Sequence, residues 1–137
     1  MFNIDAQYSI KSDLPIITDS YEVLHFDEFP ILFEGKNLQG SRVVGSLICD
    51  DEAGLFHYFH AIIEDKNYID FKNQWVSYLN LLKNADSIFV LGKDINGMLK
   101  NTYQLPFNKI PKDYLPLPTA YCPKSKTASN LDKLAHA

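Results

Sequence analysis

Two histidines in the middle of the chain, His57 and His60, have the H-x-x-H spacing that could hold a metal ion on a helix. They fall within the apolar and aromatic run from Leu55 to Ile63, which predicts a β-strand instead. Because side chains alternate along a strand, the two imidazoles should point to opposite faces. We therefore interpret them as packing or surface residues and predict no metal site, although one of them alone could line a pocket.

Acidic residues form two groups that could suggest divalent-cation binding or acid–base chemistry. Asp50-Asp51-Glu52 precedes the strand that carries His57, and Glu64-Asp65 follows it. The two groups therefore lie about 30 Å apart, at roughly 3.3 Å per strand residue. They cannot form one site, and we interpret them as solvated turn and strand-end residues, with contact to a basic partner as the alternative.

A third candidate is His25-Phe26-Asp27-Glu28, which sets an imidazole beside carboxylates. A carboxylate that folded back onto His25 could fix its tautomer for general acid–base catalysis. However, no nucleophile in a G-x-S-x-G turn accompanies it, and the sequence contains neither of the Gly-rich phosphate-loop patterns. The sequence therefore predicts no catalytic residue and no cofactor.

Short strands joined by short links should position these residues. Consecutive strands with such links pair antiparallel. The predicted strands are Tyr21–Phe26, Phe29–Glu34, Ser41–Asp50, Leu55–Ile63 and Ser87–Leu91, with Leu14–Ile17 as a candidate edge strand. The predicted fold class is α+β, an antiparallel β-meander of about four to five strands packed by one amphipathic helix.

That helix is predicted between the last two strands. Asn67 suits the N-cap and Asp70 suits the N3 position, and the helix should end near Asn84. Its apolar stripe consists of Tyr68, Phe71, Trp75, Tyr78, Leu79 and Leu82. We expect this stripe to cover one face of the sheet.

The sequence changes character at Gln104, because five of the seven prolines lie beyond it. Prolines at that density oppose helices and central strands, so we predict a single domain over residues 1–103 and an extended Pro-rich tail over residues 104–137. The tail could bind a partner or wrap around its own domain. The predicted partner-binding residues are Leu105, Phe107, Ile110, Tyr114, Leu115, Leu117 and Tyr121.

Charge and composition restrict the class of partner. Residues 1–103 carry 8 Lys/Arg and 15 Asp/Glu, a net charge of −7, whereas residues 104–137 carry 5 Lys and 2 Asp, a net charge of +3. An acidic body disfavours nucleic-acid binding, which needs a basic surface. The absence of a signal peptide or membrane span in the sequence, together with only two cysteines, predicts a cytoplasmic protein.

The order of the elements resembles a family of small bacterial domains of unknown function. The resemblance rests on Phe29-Pro30-Ile31-Leu32-Phe33, on residues 42–49 before the acidic turn, and on the following strand, helix and closing strand at Ile88–Leu91. It covers roughly residues 21–95 and carries over no catalytic residue. Members of such families often lie beside larger proteins in mobile or antiviral-defence gene sets, so the resemblance implies an accessory role.

These observations favour a non-enzymatic protein–protein interaction module. We expect an accessory or regulatory subunit of a larger bacterial or phage system, whose partner is another protein or a second copy of the chain. One alternative is a small hydrolase or nuclease that uses His25, His57 or His60, and it requires two such groups within hydrogen-bond reach in a pocket. Another is an acidic inhibitor that imitates nucleic acid, which requires carboxylates arrayed on one face.

Overall fold

A single antiparallel sheet of six strands, in sequence order, forms the centre of the molecule. The computed structural model describes residues 3–27, 29–50 and 53–124. The strands are β1 (Asp19–Asp27), β2 (Phe29–Lys36), β3 (Arg42–Asp50), β4 (Phe56–Ile63), β5 (Ser87–Lys93) and β6 (Leu99–Gln104), with helices α1 (Asp65–Lys72) and α2 (Tyr78–Lys83) between β4 and β5. The predicted α+β meander is confirmed, with one strand more than expected.

The additional strand, β6, follows a tight turn after β5. The Asp94 carboxylate accepts hydrogen bonds from the backbone N–H groups of Asn96 and Met98, each at 2.9 Å. Gly97 takes a φ of 80°, which a residue without a Cβ adopts at little cost. The turn reverses the chain, and β6 then pairs along β5 although its sequence is largely polar.

The prediction of one continuous helix is wrong, because the chain breaks between α1 and α2. The first helix begins after Glu64, which occupies the N-cap position predicted for Asn67. At the break, Gln74 has a left-handed φ of 63°. The Ser77 side chain then accepts a hydrogen bond from the backbone N–H of Asn80 and caps the second helix.

The predicted edge strand at Leu14–Ile17 does not form. Residues 9–18 instead cross one face of the sheet, and we refer to them as the N-terminal strap. Their backbone is tied to three strands: Ile10 N–H bonds the carbonyl of Thr102 in β6, His60 in β4 bonds the carbonyl of Pro15, and Thr18 N–H bonds the carbonyl of Lys36 in β2. Pro15, within the strap, is fully buried.

Strand pairing assigns side chains to the two faces. One row of partners runs through Leu32, Ser46, Phe59, Val90 and Tyr103, and we name its side the helix face because α1 and α2 pack there. The neighbouring row belongs to the side crossed by the N-terminal strap, which we name the strap face. That row runs through Phe33, Gly45, His60, Phe89 and Gln104.

The chain beyond β6 completes the helix face. Leu105, Ile110 and Cys122 are buried in the same core as Phe71 and Leu82 of the helices. The predicted domain boundary after residue 103 falls within β6, and residues 105–124 pack against the domain rather than forming a separate segment. Residues 105–124 therefore follow the second of the two alternatives for the tail, since they wrap around their own domain. Residues 125–137 lie outside the described part of the chain.

A charged cluster at one end of the sheet joins the strands to α1. The Arg42 guanidinium lies 2.6 Å from the Glu34 carboxylate and 2.9 Å from that of Asp65. It also lies over the ring of Tyr68, 4.3 Å from the centroid. Burial raises the pKa of Glu34, and the neighbouring Arg42 partly offsets this effect. The cluster thus connects β2, β3 and α1 through a single side chain.

Gly45 in the centre of β3 packs against an aromatic ring that leaves no space for a side chain at this position. The Phe33 side chain lies across the glycine, where a Cβ would overlap the ring. The same ring contacts Tyr21, Tyr58 and His60 at centroid distances of 5.2, 5.9 and 5.5 Å. Gly45 therefore makes room for the aromatic cluster of the strap face.

We predict that Gly45→Ala destabilises the protein by about 1–3 kcal/mol, because the new methyl group displaces the Phe33 ring from a packed site. In a Phe33→Leu background the same substitution should cost clearly less, since the ring is absent. Urea unfolding of the four proteins measures both costs. Equal costs in the two backgrounds would show that the ring is not what excludes a side chain at Gly45.

Candidate functional site

The structure disperses the histidines that could have formed a catalytic pair. His57 lies on the helix face and His60 on the strap face, as strand alternation predicts, and both are buried. His25 lies in β1, where it pairs with Leu32 of β2. Strand β1 is three strands away from β4, a distance of about 14 Å at roughly 4.8 Å per strand. No two of these imidazoles lie within hydrogen-bond reach, so the geometry gives no support to a histidine-based hydrolase.

Two of these histidines have surroundings that suit packing. The His57 ring covers Gly92, where an added Cβ would lie 3.2 Å from two ring atoms. The Nδ1 of His25 is buried without a hydrogen-bond partner among the described residues, so Asp27 does not bond it. Glu28 lies outside the described residues.

The acidic groups also remain separate. Asp51 and Glu52 lie outside the described residues, and Asp50 is exposed at the far end of β3. Asp65 is paired with Arg42, whose hydrogen bond and charge hold the pKa of that carboxyl below its usual value. Within residues 3–27, 29–50 and 53–124, no three His, Cys, Asp or Glu side chains are grouped as metal ligands would be.

A pocket of about 210 Å³ opens on the strap face, between the N-terminal strap and the turn after β5. Its polar side chains are His60, Lys93 and Tyr21. The other lining residues are Ile16, Ile17, Phe33, Leu91, Gly97 and Leu99. We name it the strap pocket, and it is the site where titratable groups meet an apolar enclosure.

His60 is held in this pocket in one protonation state. Its Nδ1 lies 2.6 Å from the Pro15 carbonyl oxygen, which can only accept, so Nδ1 carries the proton. Burial, together with the positive charge of Lys93, lowers the pKa of His60 to about 3. The imidazole is therefore neutral at physiological pH, and its Nε2 is a hydrogen-bond acceptor. That atom has no partner among the described residues.

Lys93 supplies the positive charge of the pocket. Its Nζ lies 5.6 Å from the ring centroid of Tyr58, within the range of a cation–π contact. Burial lowers the pKa of Lys93 and raises those of Tyr21 and Tyr58. No carboxylate of the described residues forms an ion pair with Lys93.

A second and larger pocket, of about 510 Å³, lies where α2 ends and the chain leaves β6. Leu82, Ile88 and Leu105 line it and are buried in the core, whereas Lys83 and Gln104 are exposed. It contains two of the predicted partner-binding residues, Leu105 and Phe107. It has no buried, unpartnered polar group comparable to the Nε2 of His60 among the described residues.

The predicted partner-binding residues divide by exposure. Leu105 and Ile110 are buried in the core, and Phe107, Tyr114 and Leu115 pack partly buried against it. These five side chains therefore already contact the protein's own domain. Leu117 and Tyr121 remain exposed, at 72% and 51%.

Trp75, predicted in the buried stripe of the helix, is 72% exposed in the break between α1 and α2. The tail lies beside this break: Tyr78 N–H donates to the carbonyl of Ala120, and the Gln74 side chain donates to the carbonyl of Cys122. Tyr121, between those two tail residues, therefore lies beside the turn that carries Trp75. We name the exposed side chains of Trp75 and Tyr121 the Trp75 surface.

Sequence reasoning found the strap pocket only in part. Strand alternation placed His60 on a face of its own and allowed that it could line a pocket. The sequence does not single out Lys93, because this residue ends β5 and precedes a segment, residues 94–103, without a clear pattern. The strap side of the pocket is missed because Leu14–Ile17 is predicted as a strand. One sequence signal points to the aromatic surroundings of His60: Tyr58 and His60 are two residues apart on a strand, which places both side chains on the same face.

Comparison with known proteins supplies no relative for this chain. No protein-family model, no curated protein and no solved structure matches it. The resemblance drawn from the order of elements therefore stays a prediction. Within the described residues, none of the helices has the length and apolar character that a bilayer crossing demands.

The burial of His60 predicts a pH dependence of stability. Because its folded pKa of about 3 lies below the unfolded value of about 6.5, the unfolded state takes up a proton first as the pH falls. The free energy of unfolding should therefore decrease from about pH 6.5 downward, by as much as about 1.4 kcal/mol per pH unit from this residue.

Urea unfolding of wild type and His60→Gln at about pH 7.5, 6.0 and 4.5 measures this contribution, because glutamine can still donate to Pro15 but does not titrate. We expect the variant to lose less stability than wild type over this interval. Parallel pH profiles would mean that His60 is protonated in the folded protein.

Proposed function

We propose that this protein is a non-enzymatic interaction module, a cytoplasmic accessory subunit of a larger bacterial or phage system, which binds another protein through the Trp75 surface. The observation that carries the proposal is the exposure of Trp75 in a strained and firmly held turn. Tryptophan and tyrosine are enriched among the residues that dominate protein–protein binding energies.

The turn is built to keep Trp75 in one place. The left-handed φ of Gln74 costs about 1–3 kcal/mol for a residue with a Cβ and persists only where surrounding contacts enforce it. Here the backbone N–H groups of Gln74 and Trp75 bond the carbonyls of Phe71 and Asp70. The Gln74 side chain adds a third bond, to Cys122 in the tail. Because the backbone that carries Trp75 is fixed in advance, less conformational entropy is lost when a partner covers this residue.

Charge supports a protein as the occupant. The net charge of −4 over the full sequence disfavours nucleic acid and favours a partner with basic residues around an apolar centre. The histidine-based hydrolase lacks a paired site among the described residues. For the acidic inhibitor, Glu34 and Asp65 are both engaged by Arg42. Neither alternative is favoured by a specific observation.

We predict that Trp75→Ala weakens partner binding by roughly 30-fold or more, as truncation of a central tryptophan does in other interfaces. The partner is first captured from native lysate on immobilised wild-type protein and then purified, so that a Kd is measured for each variant. Ile95→Ala is the matched control, because Ile95 is 83% exposed but lies at the turn after β5. This control should bind as wild type does.

Trp75 also reports directly on binding, because it is the only tryptophan in the sequence. Its fluorescence in the free protein should resemble that of tryptophan in water and shift to shorter wavelength when a partner covers it. Light scattering shows whether the partner is a second copy of the chain. In that case wild type has the molar mass of an oligomer, and Trp75→Ala should reduce it. An unchanged Kd, molar mass and emission spectrum across these comparisons would refute the Trp75 surface.

A further inference from the structure

His60, which lines the strap pocket, carries a buried hydrogen-bond acceptor that no described residue uses. His60 is 2% exposed, and its Nδ1–H is donated to the Pro15 carbonyl, which leaves the lone pair of Nε2 without a donor among the described residues. A buried polar atom without a partner destabilises the folded state. A ligand that presents an O–H or N–H group to Nε2 offsets that destabilisation.

Lys93 also lines the strap pocket, and its positive charge favours binding of an anion there. Its nearest charged neighbour in sequence, Asp94, is engaged by the backbone of the turn and lies 3.7 Å from Lys100. The Nζ of Lys93 and the ring of His60 both lie near Tyr58, at 5.6 and 6.4 Å from its centroid. Allowing for a hydrogen bond at each end, a ligand's donor and anion should be separated by no more than about 6–7 Å.

Size and walls restrict what lies between these two ends. The volume of about 210 Å³ is below the range of roughly 300–1,000 Å³ typical of drug-sized ligands. The walls are apolar, with the aromatic rings of Phe33 and Tyr21 in contact with each other. A flat ring of six to nine atoms suits such a space.

We propose that the strap pocket binds a small aromatic acid that carries a hydroxyl or ring N–H donor opposite its carboxylate. The donor bonds Nε2 of His60, the carboxylate pairs with Lys93, and the ring lies against Phe33. Because the strap pocket and the Trp75 surface are on opposite sides of the sheet, this site is additional to protein binding and does not depend on it.

The simplest probe of this chemistry is 4-hydroxybenzoate, whose two polar groups lie at opposite ends of one ring. We expect the full chain to bind it with a Kd of about 1 mM or below. Benzoate, which lacks the donor, and 4-hydroxybenzamide, which lacks the charge, should each bind about tenfold or more weakly. Titration calorimetry measures the affinities, and the ¹⁵N shift of Nε2 should move with the two hydroxylated compounds but not with benzoate.

Two variants locate the site. Lys93→Met removes the positive charge and should weaken 4-hydroxybenzoate binding about tenfold while leaving 4-hydroxybenzamide binding unchanged. Lys100→Met is the matched control, since Lys100 lies on the neighbouring strand β6 outside the pocket. Leu99→Trp fills the entrance without altering either polar group, and it should abolish binding even if Lys93→Met proves too unstable to measure.

The proposal is overturned if 4-hydroxybenzoate does not bind at about 10 mM, or if it binds Leu99→Trp as it binds wild type. Equal affinity for 4-hydroxybenzoate and benzoate would also overturn it, because His60 would then contribute nothing. None of these results bears on the Trp75 surface, and loss of partner binding in Trp75→Ala would leave the ligand affinities unchanged.

Discussion

A six-stranded sheet has two faces that must be shielded from water, and the described part of the chain has only two short α-helices, which pack against one of those faces. That constraint determines how the rest of the chain is used. The segment before β1 crosses the strap face, and the segment after β6 completes the helix face. The two ends of the described chain thus act as covering layers, a task that helices usually perform in α+β domains.

Covering a sheet with irregular chain requires partners for the backbone groups that regular structure would satisfy. Several polar side chains have this role. His60 donates to the carbonyl of Pro15, and Asn37 donates to that of Leu14 while accepting from the hairpin after β2. Gln74 donates to the carbonyl of Cys122 in the tail. Of the residues that looked like candidate chemistry in the sequence, His60 therefore serves first to attach a covering segment.

The sequence predicted the sheet well because β2 to β5 carry clear apolar patterns, and strand alternation correctly placed His57 and His60 on opposite faces. It missed β6, whose residues are mainly polar and whose existence depends on the Asp94 turn. The helix stripe at Tyr68, Phe71, Tyr78 and Leu82 is buried as expected, but no helical periodicity reveals a break at Gln74. Apart from His60, the lining of the strap pocket could not be predicted, since it comes from segments more than 70 residues apart, and no pattern in either segment indicates where the other one lies.

The burial of Leu105, Ile110 and Cys122 in the helix-face core also has a consequence for synthesis in the cell. A ribosome makes the chain from its N-terminus, so the meander through β5 emerges before the residues that close its core. Until Cys122 has left the ribosome, part of the apolar surface of α1 and α2 stays open to water and to other chains. The domain can therefore reach its final packing only after Cys122 has been translated, and the docking of this segment is the last step of its folding.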